Sequence, residues 1–586
     1  MKNGFWKTVL ASGLGFLLAN IVIGIIFFIL VIGIAASIGS QSSVSVKDKS
    51  VLTIDLSNPM QERETSTLEA LVSNQKPVSL DAILRSLNNA ADDSKISGVL
   101  IKCGPLYDGG WATTQEIRNA IAKFKKSGKF VYAYADQYTQ KSYFLASVAD
   151  KVYLNPAGML EFSGIAAEAM FVKDLLDKLE VKVDLVRPNS NAFKSAGEMY
   201  TMNKMSEANR EQIRTYIASI WNEVLPQMSK SRNIPVARLN EIADSLTAFM
   251  AADAQSAGLV DVLGFENDVK EAMVKAIKGV DKVSDLAMVS LSDYVTTVKA
   301  EMSSDKIAVI YAEGEVVQGK GHDINVYSHN ISKALDEAAD DDNVKAIVLR
   351  VNSPGGAVTA SEIITNAVRR AKDRKPVVVS MGDLAASAGY EMSCYATAIV
   401  AQPTTITGSI GVFGMVPEVG TMLKNKLGIT FDTVTTNKNS AAMSVTRPLS
   451  PMARAMWQKN VEDFYVTFCS RVAEGRGLAV EQVESIARGR VWTGRDAIKI
   501  GLVDTLGGFD LALRIAAAKA GIKKYSLKSY PEVPTTFLEL LSMTSEDERA
   551  RLLLPKQYGK YRALGEVEKI CTMDPLQARL PYFINL

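Results

Sequence analysis

A chain of 586 residues exceeds what one hydrophobic core organises, since single cores stop growing at roughly 250–300 residues, so two or more domains are expected. The 66 basic and 64 acidic residues nearly cancel and are interspersed, which leaves no electrostatic footprint for nucleic acid. With 2 histidines and 4 cysteines in no CxxC spacing, neither a metal site nor a cofactor is expected, and a Ser-His-Asp triad is nearly excluded.

The first element is apolar. No charge falls between Lys7 and Lys47, and LGFLLANIVIGIIFFILVIGIAASIG outruns the roughly 20 residues that span a bilayer core. Residues 1–40 therefore read as a transmembrane anchor. The small residues Ala35, Ala36 and Ser37 keep a cleaved signal peptide as the competing reading, although a signal core is usually only about 7–15 residues long. Lys2 and Lys7 hold the front end in the cytoplasm by the positive-inside tendency, which places the bulk on the far side. SQSSVSVKDKS comes next, with residues 41–50 as a polar linker.

The rest repeats once, at a period of about 247 residues. AADDSKISGVLIK from Ala90 lies over AADDDNVKAIVLR from Ala338, each a charged helix end running into a short apolar strand. Gly109-Gly110 lies over Gly355-Gly356, and the helical patterns ATTQEIRNAIAKFKK and AVTASEIITNAVRRAK come next. The strand candidates FVYAYAD and VVVSMGD follow, and SAGLVDVLGF later answers KIGLVDTLGG. Strands alternating with helices predict α/β halves with mostly parallel sheets, at 51–300 and 305–530, and a helix-rich tail at 531–586. His322 and His329 fall in a polar loop, GKGHDINVYSHN, while Cys103, Cys394, Cys469 and Cys571 read as buried small hydrophobes.

The copies disagree where chemistry is possible. Ser387 in GDLAASAGYEMS falls opposite Gln140, and Lys194 in NAFKSAGEMY falls opposite Ala442, so the serine belongs to one half and the lysine to the other. That division suggests a composite site. Taken singly, Ser387 reads equally as a small residue for helix–sheet packing, and Lys194 reads as a solvated side chain. NSPGGAV at Asn352 follows a strand and opens a helix, which would leave N–H groups free as an oxyanion hole; a phosphate turn is the weaker reading, lacking Walker or GxGxxG completion. A serine without histidine needs lysine or a carboxylate as base. Lysine serves only when neutral, so its ordinary pKa of about 10.4 must fall by about 3, a cost on the order of 4 kcal/mol met by desolvation. Ser409 in TGSIGVFG reads as a partner orienting that amine or as a turn serine, and Glu198, four residues past Lys194, would oppose catalysis if it paired with the lysine.

NSPGGAV, MGDLAASAGYEMS, TGSIGVFG, NAFKSAGE and GRVWTGRDAIKIGLVD together resemble the long, two-repeat form of the signal peptide peptidase A (protease IV) family, peptidase family S49, through about residue 525. The resemblance implies a tandem pair of Clp protease/crotonase-like domains behind one N-terminal transmembrane helix. It implies Ser387 as nucleophile, Lys194 as general base, Ser409 orienting the lysine, and Gly355 or Gly356 with the N–H of Ala388 as oxyanion donors. It also implies signal peptides and unfolded apolar segments as substrates, a homotetramer, and the extracytoplasmic side of a bacterial inner membrane. This chain reads SAGY where the family usually reads SGGY, so a positive φ at Ala388 would be costly. The rival functions are a crotonase-like acyl-CoA enzyme, which leaves the anchor, serine and lysine unexplained, and a non-catalytic membrane scaffold.

Overall fold

The computed structural model describes residues 15, 45–63, 78–299, 301–321, 323–530 and 576–579. Apart from residues 15 and 576–579, the expected anchor at 1–40 and tail at 531–586 lie outside the described residues, as do His322 and Cys571. Among the described residues no helix is long and apolar enough to cross a membrane.

Two α/β units match the sequence repeat. In the first, a six-stranded sheet runs Val262–Leu263, Lys151–Leu160, Phe130–Tyr138, Ile96–Cys103, Ser50–Asp55, Met288–Ser290, every neighbouring pair parallel. ISGVLIKC at Ile96–Cys103 is almost continuously buried, as expected for a parallel strand covered on both faces. The second unit repeats the order with Ile406–Gly408, Val377–Ala386, Val344–Ser353, Lys306–Glu313 and Ser526–Tyr530, and adds Val491–Thr493 antiparallel at one edge. Helices match in length as well. Leu80–Asp92 answers Ser328–Asp340, Trp111–Lys125 answers Val358–Lys372, and Glu207–Arg232 answers Pro451–Arg476. Ser206 and Ser450 cap the last pair, each accepting an N–H three residues on, and both helices end on a left-handed residue, Asn233 or Gly477.

The two units share one core. Val99, Ile101 and Ile117 of the first pack in the same apolar cluster as Val309, Val348, Val378 and Leu513 of the second. Polar contacts pin this interface. Asp383 of the second unit accepts the N–H groups of Ala112 (2.8 Å) and Thr113 (2.9 Å) at the start of a first-unit helix, where a negative charge is favoured. Fully buried Arg350 donates to Glu62 (2.9 Å) and Glu116 (3.2 Å) across the same boundary.

A third sheet mixes the units more directly. Its order is Val326–Tyr327, Val316–Val317, Gly355–Ala357, Leu576–Arg579, Phe413–Glu418, Lys182–Val186. The last strand comes from the first unit and pairs antiparallel with Phe413–Glu418 over five residues, Gly414 facing Val186 and Glu418 facing Lys182. That pairing carries the next stretch of chain, including Lys194, into the second unit.

Beside Arg350 the interface also holds Glu313, whose carboxyl is pushed up to about 7 by burial and by the Glu62 carboxylate. A raised folded-state pKa stabilises fully below the unfolded value of 4.5 and is lost as pH rises through about 7. Replacing Glu313 with Gln removes this titration. The Tm of the variant relative to the unaltered protein is expected to climb between about pH 5 and about pH 8. Parallel Tm curves would show that Glu313 is not desolvated.

Candidate active site

Ser387 sits where the strand Val377–Ala386 turns into the short helix Ala388–Glu391, with φ 58° and ψ −118°. A non-glycine residue in this region is strained, and the surroundings must over-determine it. They do so through its N–H, which donates to Gly408 O (2.8 Å), and its carbonyl, which accepts from Glu391 N–H (2.8 Å). The strain expected at Ala388 is therefore found one residue earlier. Ala388 is the first helical residue and does not take a positive φ, so alanine sits there at no backbone cost. As a first helical residue it also lacks an intrahelical partner for its N–H.

The glycine pair corrects a second expectation. Gly355–Ala357 is a strand, and the helix begins only at Val358. Gly355 has φ 101° and donates its N–H to Ser353 Oγ (3.2 Å). Gly356 must be glycine for packing, because a Cβ there would lie 2.1 Å from Val316 O. The pair is thus held by strand neighbours and is not a free helix terminus.

Lys194 comes from the first unit and is 1% exposed. Its Nζ lies 2.6 Å from Ser387 Oγ and 3.1 Å from both the carbonyl oxygen and Oγ of Ser409. A neutral amine has two N–H donors and one lone pair. Donating to the two Ser409 oxygens uses both hydrogens and leaves the lone pair facing the Ser387 hydroxyl. Burial drives Lys194 well below the ordinary lysine range, and the more distant Glu391 carboxylate opposes this in part. Glu391 is itself held by Ser361 Oγ (2.7 Å) and Arg471 Nη1 (2.9 Å), which spend much of its charge elsewhere.

Glu198 does not reach the lysine. Its carboxylate accepts from Asn209 Nδ2 (3.1 Å) and Ser206 N–H (3.2 Å) and lies 3.8 Å from Arg187. Arg187 in turn donates to Lys194 O (3.2 Å), so Glu198 braces the segment from behind. Gln212 Nε2 donates to Phe193 O (3.0 Å) and Ser195 Oγ (3.1 Å), and Phe193 N–H donates to Arg488 O (3.0 Å). In the first unit Gln140, the counterpart of Ser387, accepts the N–H groups of Ser163 and Gly164 (2.8 Å each), which closes the equivalent position with a loop.

The family model for peptidase family S49 matches residues 123–280 and 369–523, once in each unit. A Protease 4 of Salmonella typhi is 36% identical over 91% of this chain and 88% of its own. The chain belongs to peptidase family S49. The Clp protease model also matches residues 298–405. Protease 4 of Haemophilus influenzae is 34% identical over 85% of this chain and 84% of its own, and the chloroplastic serine protease SPPA of Arabidopsis thaliana is 30% identical over 85% and 73%. This S49 peptidase is accordingly a serine protease.

Gly489 went unnoticed in the sequence as the first residue of GRVWTGRD. At φ 79°, a Cβ on it would lie 2.5 Å from Lys194 Cβ and 2.6 Å from Lys194 N. Gly489→Ala is expected to displace Lys194 and lower kcat/KM by about 10²-fold, since roughly 1 Å of misplacement suffices for that. Circular dichroism should stay unchanged. Full activity in Gly489→Ala would show that the close approach does not position the lysine.

Proposed function

We propose that this S49 serine protease works through a Ser387/Lys194 dyad, and that it hydrolyses signal peptides and other unfolded apolar segments. The observation that carries the reading is a buried lysine amine 2.6 Å from a strained serine hydroxyl. Neutral Lys194 takes the Ser387 proton as Oγ attacks the peptide carbonyl. Ser409 fixes the amine's orientation. The N–H of Ala388, at the open end of the helix Ala388–Glu391, receives the developing oxyanion. Lys194, now an ammonium, protonates the leaving amine, and a water activated by the same lysine releases the acyl group. The crotonase-like acyl-CoA reading leaves this dyad without a task.

The substrate reading rests on the resemblance and on residues 1–40, which would tether the 51–300 and 305–530 units through the 41–50 linker to the extracytoplasmic face of a bacterial inner membrane. Assembly as a ring, four-membered by the resemblance, draws support from an imbalance within the repeat. In the first unit the chain after Leu179 pairs with the second; its copy after Leu427 is exposed, with Phe431 49% and Val434 97% accessible. Met170, near the first unit's counterpart of Phe413–Glu418, is 61% exposed as well. One free strap and one free edge on the same chain fit a head-to-tail contact that closes into a ring. Phe431→Asp combined with Val434→Asp is expected to yield monomers by light scattering; an unchanged mass would overturn this contact.

Ser387→Ala and Lys194→Ala should each lower kcat on the order of 10⁴-fold or more, and the double variant should add little, as for groups acting as a unit. Retained turnover in Ser387→Ala would sink the mechanism. Labelling of Ser387 by a serine-reactive phosphonate should rise with pH through the lowered Lys194 pKa and be level across the ordinary lysine range, because the neutral amine is the active form.

A further inference from the structure

The strand Leu576–Arg579, from the far end of the chain, lies in a slot between Gly355–Ala357 and Phe413–Glu418. It is antiparallel to both, with Arg579 opposite Gly355, Ala578 opposite Gly356, and Gln577 opposite both Ala357 and Phe413. Both walls border the dyad. Gly355 donates to Ser353 Oγ, the Ser353 carbonyl lies against Gly389, and Ser387 Oγ is 3.4 Å from Gly411 O, two residues before Phe413. An extended segment paired on both sides beside a protease nucleophile is bound as a substrate strand would be.

Arg579 is 3% exposed, and its Nη1 makes a 2.8 Å ion pair with Glu315. The geometry of this pair is selective. Val316 pairs in parallel with Gly356, so Glu315 stands beside Gly355, and Arg579 stands on the other side of the same glycine. Glu315 and Arg579 are thus two strand spacings apart, roughly 9–10 Å between backbones. Gly355 has no side chain to block the crossing. Only a long cationic side chain spans that distance and ends on a carboxylate, and a charge-assisted guanidinium–carboxylate contact is stronger than a neutral hydrogen bond.

We propose that Glu315 is a specificity-determining residue of this protease, selecting peptides with arginine or lysine at the position that pairs with Gly355, and that the chain's own Arg579 occupies this subsite. The proposal rests on reading the slot as the substrate groove. It adds a charged requirement to a groove expected from the resemblance to favour apolar segments.

The test uses the full chain carrying Ser387→Ala and Arg579→Pro, so that nothing is cleaved, the subsite is vacated and the strand's own pairing in the slot is broken. Labelled peptides spanning Pro575–Leu586, with arginine, norleucine or glutamate at the 579 position, are titrated by fluorescence anisotropy. The arginine peptide is expected to bind about 10-fold more tightly than the norleucine peptide. Glu315→Gln in the same background should erase that difference, and Glu315→Lys should turn the preference toward the glutamate peptide. Equal binding of the arginine and norleucine peptides, or a preference that survives Glu315→Gln, overturns the role of Glu315. Absence of binding by every peptide overturns the slot as the groove. Hydrolysis of a general unfolded substrate by the Arg579→Pro protein with Ser387 intact reports separately on the dyad, so failure of the catalytic reading is distinguished from failure of this one.

Discussion

Desolvation of one ammonium group governs the rest of this structure. A lysine side chain resists burial because its charge is far better solvated by water, and a buried lysine without a carboxylate partner relieves that cost by losing its proton. Lys194 is in that position: 1% exposed, with two serines as its hydrogen-bonding neighbours and the nearest influential carboxylate, Glu391, engaged by Arg471. The fold has to bring this residue from one unit into the other and keep water out once it arrives.

Several features that look independent serve that delivery. The strand Lys182–Val186 crosses to the second unit and fixes the register of the chain leading to Lys194. Glu198, Asn209 and Gln212 then hold the chain on either side of Lys194, and Gly489 supplies the bare backbone against which it packs. The shared apolar core and the Arg350 cluster prevent the units from separating. A buried ion cluster of this kind contributes little net stability, but removal of one partner would leave uncompensated charge at the boundary. The strain stored at Ser387 is sustained by the same rigidity, since its backbone is tied to Gly408 and Glu391 on both sides.

Much of this was legible in the sequence because the chain contains its own comparison. The repeated strand–helix pattern gave the two α/β units, and the disagreement between copies singled out Ser387 and Lys194, residues whose single-site readings were bland. Backbone detail was less legible. NSPGGAV matched the rule for a glycine-rich helix start, yet Val316–Val317 and Leu576–Arg579 flank Gly355–Ala357 and make it a strand, a long-range pairing that local spacing does not encode. The resemblance directs attention to a positive φ at Ala388, whereas the turn places it on Ser387. The direction taken by Glu198 depended on Arg187 and Asn209, neither of which a helical i, i+4 argument would consider.

The protonation state of Lys194 decides whether the dyad can act. Nitrogen-15 NMR of the lysine side-chain amines, with Lys194 assigned from the Lys194→Ala spectrum, reads it without recourse to activity. A neutral amine resonance is expected for Lys194 at about pH 8, converting to ammonium only on acidification, while the other lysines remain charged. An ammonium resonance for Lys194 that persists to about pH 10 would contradict it.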